Sequence, residues 1–353
     1  MDAPGPSSGG KKPRSSKKLK SVIIPLRFKD STGLPIGSLT LDKPSGVLGA
    51  PKWAREVCFD LADANCALSF KIMVEIYHEN VLHLESVISK KESLIKICVE
   101  PYTHSLRNFA ATLIFDRPSD FEMIQSLIRQ IMEGMHELML NGLYHGNFTI
   151  ETTYYDKSAR LVKLANFQSR DEMGVEEAQF NDWHAVGKGI ATLSSMYKKK
   201  TRANYLWMDD LAHKLQGLSP SAIIPLVSIK DNMLNEVFFW KKIRRANFFM
   251  YGILGPLHSN EFITKVAELD FIPHDWSQTT DQDLFSAMNK YRTKDGGSPY
   301  GSGKHQYILY VSGSYTHESE LLLVGDVDNI ITEECPRLCL ELVNIVRQLG
   351  YAV

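Results

Sequence analysis

Cysteine is scarce in this chain. Cys58, Cys66, Cys98, Cys335 and Cys339 are scattered through 353 residues, and no Cys-x-x-Cys pair occurs. An odd number with no compact histidine partner gives neither a disulfide framework nor a zinc site. It fits reduced thiols in the cytoplasm, with the nucleus as a second compartment. No sign of charge dominates either: 40 Lys and Arg stand against 41 Asp and Glu, a net charge of −1. That excludes a global field drawing in DNA or an anionic membrane, so an RNA site has to be a local patch. No run approaches the roughly 18 apolar residues of a membrane span, and the N-terminus lacks the apolar stretch of a signal peptide. A soluble chain without membrane or metal partners is expected.

What the chain does have is ordinary apolar content, 44% hydrophobic against 23% charged, ample for a core. Residues 1–20 are rich in Pro, Gly, Ser and Lys, and carry Lys11, Lys12, Arg14, Lys17, Lys18 and Lys20. They read as a disordered basic tail, either a solubilising segment or a nuclear or RNA-contacting arm. "SVIIPLRF" from Ser21 reads as a strand, "LSFKIMVEI" from Leu68 as a helix, and "SLIKICVEP" from Ser93 as a strand stopped by proline.

From Ser119 the period changes. Phe121, Ile124, Leu127, Ile128, Ile131, Met135, Leu138 and Met139 recur at spacings of three and four, an amphipathic helix. Ser119 is the expected N-cap with Glu122 completing a capping box, and Gly142 the stop. Short strands are expected near Phe148–Ile150 and Arg160–Leu164. Helices follow over Asp182–Tyr197 and Leu206–Leu218. Beyond Phe238 the pattern is helical, broken at "DGGSPYGSGKHQ" from Asp295. "KKIRRANFF" from Lys241 reads as an amphipathic helix with a cationic outer face. "YILYVSGSY" from Tyr307 alternates and is β-branched or aromatic, so it reads as a strand. Boundaries are expected near Thr103–Phe109 and near Trp240.

Six stretches together resemble a known arrangement. "HENVLHLESVISKKESLIKICVEPYTHSLRNF" (His78–Phe109) is similar to the kinase turn after helix C and the strands leading to the hinge. "YHGNFTIETTYYDKSARLVKLANFQ" (Tyr144–Gln168) has the spacing of a kinase catalytic loop followed by a metal-binding loop. "DWHAVGKG" (Asp182–Gly189) is similar to the central helix of a kinase C-lobe. "EVFFWKKIRRANFF" (Glu236–Phe249) resembles the junction between a kinase fold and a kinase-extension nuclease (KEN) domain. "NKYRTKDGGS" (Asn289–Ser298) and "CPRLCLELVNIV" (Cys335–Val346) resemble that domain's nuclease loop and closing helix. The resemblance is to the Ire-type unfolded-protein sensors and ribonuclease L. It implies an α+β chain: a degenerate bilobal protein-kinase fold over residues 21–240, then an all-α KEN-type ribonuclease domain over 241–353.

The kinase chemistry is missing from the residues themselves. Phosphoryl transfer needs a lysine on the phosphates, a base, and acceptor side chains for Mg²⁺, a hard cation that wants carboxylates. No lysine lies between Lys52 and Lys71, and "PSGVLGAP" has too few glycines to cradle phosphate. By the resemblance, the catalytic Asp maps to Asn147, its companion Lys to Thr149, and the metal ligands to Thr152 and Asn166. His145, Phe167 and Asp182 are retained scaffold positions. No ATP and no Mg²⁺ are expected, and no other cofactor.

For the nuclease, the resemblance implies metal-free RNA cleavage by an acid, a base and groups that take up the phosphorane charge. By the resemblance the family's tyrosine falls at Lys294 and, with a short insertion around Gly301–His305, its Arg-Asn pair falls at Ser312-Gly313 and its histidine at His317; without the insertion the histidine is lost too. The candidates are His317 and His305 as an acid/base pair, with Arg292, Lys294 and Tyr291 as phosphate or RNA contacts; Lys304 is a further cation near the loop. The reading is a pseudokinase–KEN module acting in RNA processing or its regulation. It would bind RNA, or dimerise with a copy of itself or an active relative. The alternative is an active metal-independent endoribonuclease with a rearranged His/Arg/Lys site.

Overall fold

A computed structural model of the chain describes residues 22–29, 35–41, 55–91, 94–100, 102–170, 172–198, 201–219, 225–294, 296–321 and 324–353. The basic tail and the "PSGVLGAP" turn lie outside the described residues. The class is α+β, and the chain divides into two compact units.

The first unit spans Met1–Glu75 and Leu82–Pro101. Its strands are β1 (Val22–Lys29), β2 (Pro35–Leu41), β3 (Arg55–Asp60), β4 (Leu84–Lys91) and β5 (Leu94–Val99), in the antiparallel order β1-β2-β3-β5-β4. Strand β5 buries Ile95, Ile97 and Val99, the period of two that sets its inner face. Strand β3 reads REVCFD and carries no lysine. Helix α1 (Ala64–Glu75) follows it, opened by the Asp63 carboxylate, which accepts from the Cys66 N–H at 2.9 Å.

The second unit comprises Ile76–Val81 and Tyr102–Val353. A small sheet in the order β6-β7-β8 pairs β6 (His104–Ser105), β7 (Tyr154–Asp156) and β8 (Leu161–Lys163). The rest is helical: α2 (Leu106–Ala110), α3 (Pro118–Leu140), α4 (Val175–Ser195), α5 (Ala203–Gln216), α6 (Leu226–Leu234) and α7 (Lys242–Asn247), which runs on through a π turn at Phe248–Gly252. Then come α8 (Asn260–Ala267), α9 (Trp276–Thr279), α10 (Gln282–Lys294), α11 (Lys304–Thr316), α12 (Val327–Glu334) and α13 (Leu338–Gln348).

Helix α3 buries Phe121, Ile124, Leu127, Ile128, Ile131, Met135 and Leu138, the stripe visible in the sequence. Its start differs. The cap is Arg117 with Pro118 in the first turn, and Ser119 makes no cap. Proline's fixed φ suits the first helical position and displaces the start. Phe148–Ile150 forms no strand; the next strand is β7, four residues further on.

The larger correction is α11. Tyr307–Tyr315 is helix, not strand. Tyr307, Ile308, Tyr310, Val311, Ser312, Ser314 and Tyr315 are all buried. Helix α11 packs against α8, α9, α10, α12 and the π turn. A helix enclosed on nearly every side shows no apolar stripe, so its period is hidden in the sequence.

Candidate functional site

The loop that resembles a kinase catalytic loop is built around His145 and Asp182. Both carboxylate oxygens of Asp182 are taken: the His145 N–H donates to one and the Gly146 N–H to the other, the latter at 2.8 Å. Gly146 has φ +75°, and a Cβ there would lie 1.9 Å from the Gln168 carbonyl oxygen, so only glycine fits. The Gln168 N–H returns a bond to the His145 carbonyl at 2.9 Å, closing the two loops on each other.

His145 is fully buried between Phe148 and Phe167, and burial pushes its imidazole down to about 3. The Asn147 N–H donates to its Nδ1 at 3.3 Å, a bond the neutral ring accepts. Burial works the other way on Asp182 and raises its carboxyl to about 6, against the lowering pull of the two N–H donors and Arg170.

The two positions that the resemblance assigns to metal ligands are Thr152 and Asn166, neither a carboxylate. Asn166, in the left-handed region at φ +65°, donates from its amide to the Thr152 carbonyl at 2.6 Å and to the Tyr154 hydroxyl at 3.3 Å. Thr149 and Thr152 are bound to each other, hydroxyl to hydroxyl at 2.9 Å and each hydroxyl to the other's N–H at 3.1 Å. Beyond the Asp182 carboxylate, the loop's frame is held together by amides, hydroxyls and backbone. Among the described residues no group of three or more His, Cys, Asp and Glu is disposed to hold a metal ion.

The second candidate lies where α10 ends and α11 ends. His317 caps the C-terminus of α11 and stacks on Tyr291 of α10, ring centroids 5.1 Å apart and 11° from parallel. Its Nδ1 lies 3.1 Å from the Glu320 carboxylate. Arg292 lies over the Tyr300 ring at 4.4 Å. A cavity of about 310 Å³ is lined by Tyr291, Arg292, Tyr300, His317, Met288 and two glycines, Gly297 and Gly313. The structure therefore brings Tyr291, Arg292 and His317 to one hollow, with the exposed Lys294 in the last turn of α10.

It does not bring His305 there. His305 opens α11 and His317 closes it, about 18 Å away along the axis at 1.5 Å per residue. His305 Nε2 sits 3.3 Å from the Leu257 carbonyl. Lys304 is also committed elsewhere, donating to the Ala267 and Leu269 carbonyls at 2.9 and 2.5 Å. The expected acid/base pair of His305 and His317 is not assembled.

No family model matches this chain, and no curated protein matches it.

Two residues at the hollow carry weight that the sequence reading did not give them. Tyr300 closes on Gly313: a Cβ there would lie 2.8 Å from the Tyr300 hydroxyl and 2.9 Å from the Met288 methyl. Burial raises the Tyr300 hydroxyl while Arg292 lowers it. Glu320 is the other. The hydrogen bond from His317 lowers its carboxyl, with Tyr291 and Lys294 adding to the effect. Partial desolvation and then this carboxylate raise Tyr291. The signal was a spacing, His317 and Glu320 three apart, just beyond the stretch read as a strand.

Proposed function

We propose that this chain is a pseudokinase–KEN-type module that binds RNA and regulates its processing without cleaving it. The observation that carries the reading is the division of the histidines between the two ends of α11. One histidine with an aromatic face, a stacked arginine and a lysine suits stacking on a base and holding a phosphate. Acid/base cleavage of a phosphodiester needs a second proton-transfer group, and Tyr291, raised above its ordinary value, is a poor base. In the pseudokinase half, Asn166 spends its amide on the Thr152 carbonyl, which supports a scaffold role over phosphoryl transfer. The proposal includes pairing with a second copy or with a catalytically active relative.

The test is a labelled stem-loop RNA incubated with the protein and a chelator. Binding that weakens with salt and with His317→Ala, and no cleavage at high protein concentration, is expected. Cleavage leaving a cyclic phosphate, and lost in His317→Ala, would overturn it in favour of the second reading, a metal-independent endoribonuclease. That reading draws on the Tyr291–His317–Glu320 cluster, in which a carboxylate orients an imidazole.

A further inference from the structure

The groups assigned above to phosphate converge on a carboxylate of the chain itself. His317 Nδ1 faces Glu320 at 3.1 Å, an ion pair whenever the imidazole is protonated. Tyr291, stacked on His317, and Lys294 both lower the same carboxyl, less than His317 does. A phosphate oxygen asks for this set of donors: a hydroxyl, an imidazole N–H and an ammonium. Glu320 follows the end of α11 by one 3₁₀ turn, Glu318–Glu320. The neighbouring Glu318 is engaged with Lys242 at 2.6 Å and takes no part in the hollow. The C-terminal end of α11 also carries the negative pole of that helix, which disfavours an incoming anion at His317. Arg292 is held over the Tyr300 ring, away from this pair.

We infer that Glu320 is a built-in competitor for phosphate, holding His317 beside Tyr291 and Lys294 until RNA displaces it. The inference rests on the RNA-binding reading of the same hollow and adds its regulation. Binding then requires exchange of one anion for another. RNA binds with fewer net charge contacts than the cations present would allow, and Glu320 sets the threshold.

Glu320→Gln and Glu320→Ala test this, with Glu318→Gln as the control and thermal unfolding to verify the fold. Affinity for a single-stranded RNA is measured across a salt series. Titration with inorganic phosphate is followed by the ring resonances of ¹⁵N-labelled histidine. Both Glu320 variants are expected to bind RNA roughly fivefold to tenfold more tightly, the order of one unit charge acting across water at contact distance. The salt dependence should steepen by about one phosphate contact. The His317 resonances should respond to lower phosphate concentrations, and Glu318→Gln should match the parent.

RNA binding that depends on His317 but is unchanged or weakened in the Glu320 variants would overturn the inference. It would make Glu320 a support for the imidazole. RNA binding absent throughout, with phosphate still reaching the Glu320 variants at lower concentration, would remove the RNA reading and leave the competitor role standing. No effect of Glu320 on either ligand would overturn it.

Discussion

His145 is neutral in a place with no route to water, and the acid side of the stability curve follows. The unfolded imidazole takes a proton at 6.5, while the buried one resists until about 3. Between those values the unfolded chain holds one more proton at this site. His145 therefore contributes stability that is present above pH 6.5 and lost as pH falls toward 3. Asp182 runs the opposite way. Its folded value, about 6, exceeds the ordinary 3.8, so its contribution grows as pH falls from 6 to 4 and offsets the loss. Replacing His145 by Gln keeps the backbone N–H to Asp182 and removes only the loss. Compared with the parent, His145→Gln should gain about 1 kcal/mol per pH unit on acidification from pH 6.5 to 4, given one proton of difference. Urea unfolding at pH 6.5 and 4.5 measures it, and parallel pH profiles would contradict it. The residue types at this loop were legible in sequence, since Asn147 and Asn166 stand where carboxylates would. Their bonding was not, because a sequence does not say that the Asn166 amide turns to the backbone.

Helices were readable where one face meets water. Helix α3 alternates buried and exposed positions, so its period is printed in the sequence; α11 is buried nearly all round, and its aromatic and β-branched residues mimic a strand. Helix α7 shows the same limit for charge. Arg244 and Arg245 are alike in sequence and were expected on one cationic face. In the fold Arg244 covers the Trp240 ring, while Arg245 turns inward. Its Nε donates to Asp328 of α12 at 3.0 Å and its Nη1 to the Trp240 carbonyl at 2.6 Å, with Trp207 beneath its plane at 4.9 Å. The Tyr315 hydroxyl of α11 donates to the same carboxylate at 2.7 Å. The pair is 12% and 5% exposed, so removing one partner strands a buried charge. Asp328→Ala should cost about 3–5 kcal/mol, while the double change Arg245→Met with Asp328→Leu should recover most of it. Denaturant unfolding of the two variants decides this. Equal losses would mean that the pair's geometry, not its uncompensated charge, holds α7, α11 and α12 together.

The sequence suggested a cut near Trp240, where one pattern of helices gives way to another. In the fold Tyr102–Val353 lies within one compact unit, and a buried charge there draws partners from both sides of that cut. Glu236 is 6% exposed. It accepts from Lys214 of α5 at 2.7 Å and, with both oxygens, from Arg347 of α13 at 2.9 Å. Arg347 also donates to the Asn235 carbonyl at 3.3 Å, and the Trp240 indole to the same oxygen at 2.9 Å. The last helix thus closes on a turn more than a hundred residues upstream, a partnership that local sequence pattern cannot register. Loss of Arg347 leaves Glu236 with one cation, so Arg347→Ala should cost about 1–3 kcal/mol. At 2–4 °C per kcal/mol for a unit of this size, the midpoint should fall by roughly 2–12 °C. Scanning calorimetry gives the sharper readout. The transition of residues 102–353 should move down as a whole, because the two sides share Glu236. If Arg347→Ala instead splits it into two separate transitions, the sides fold independently, and the boundary near Trp240 is a true domain seam.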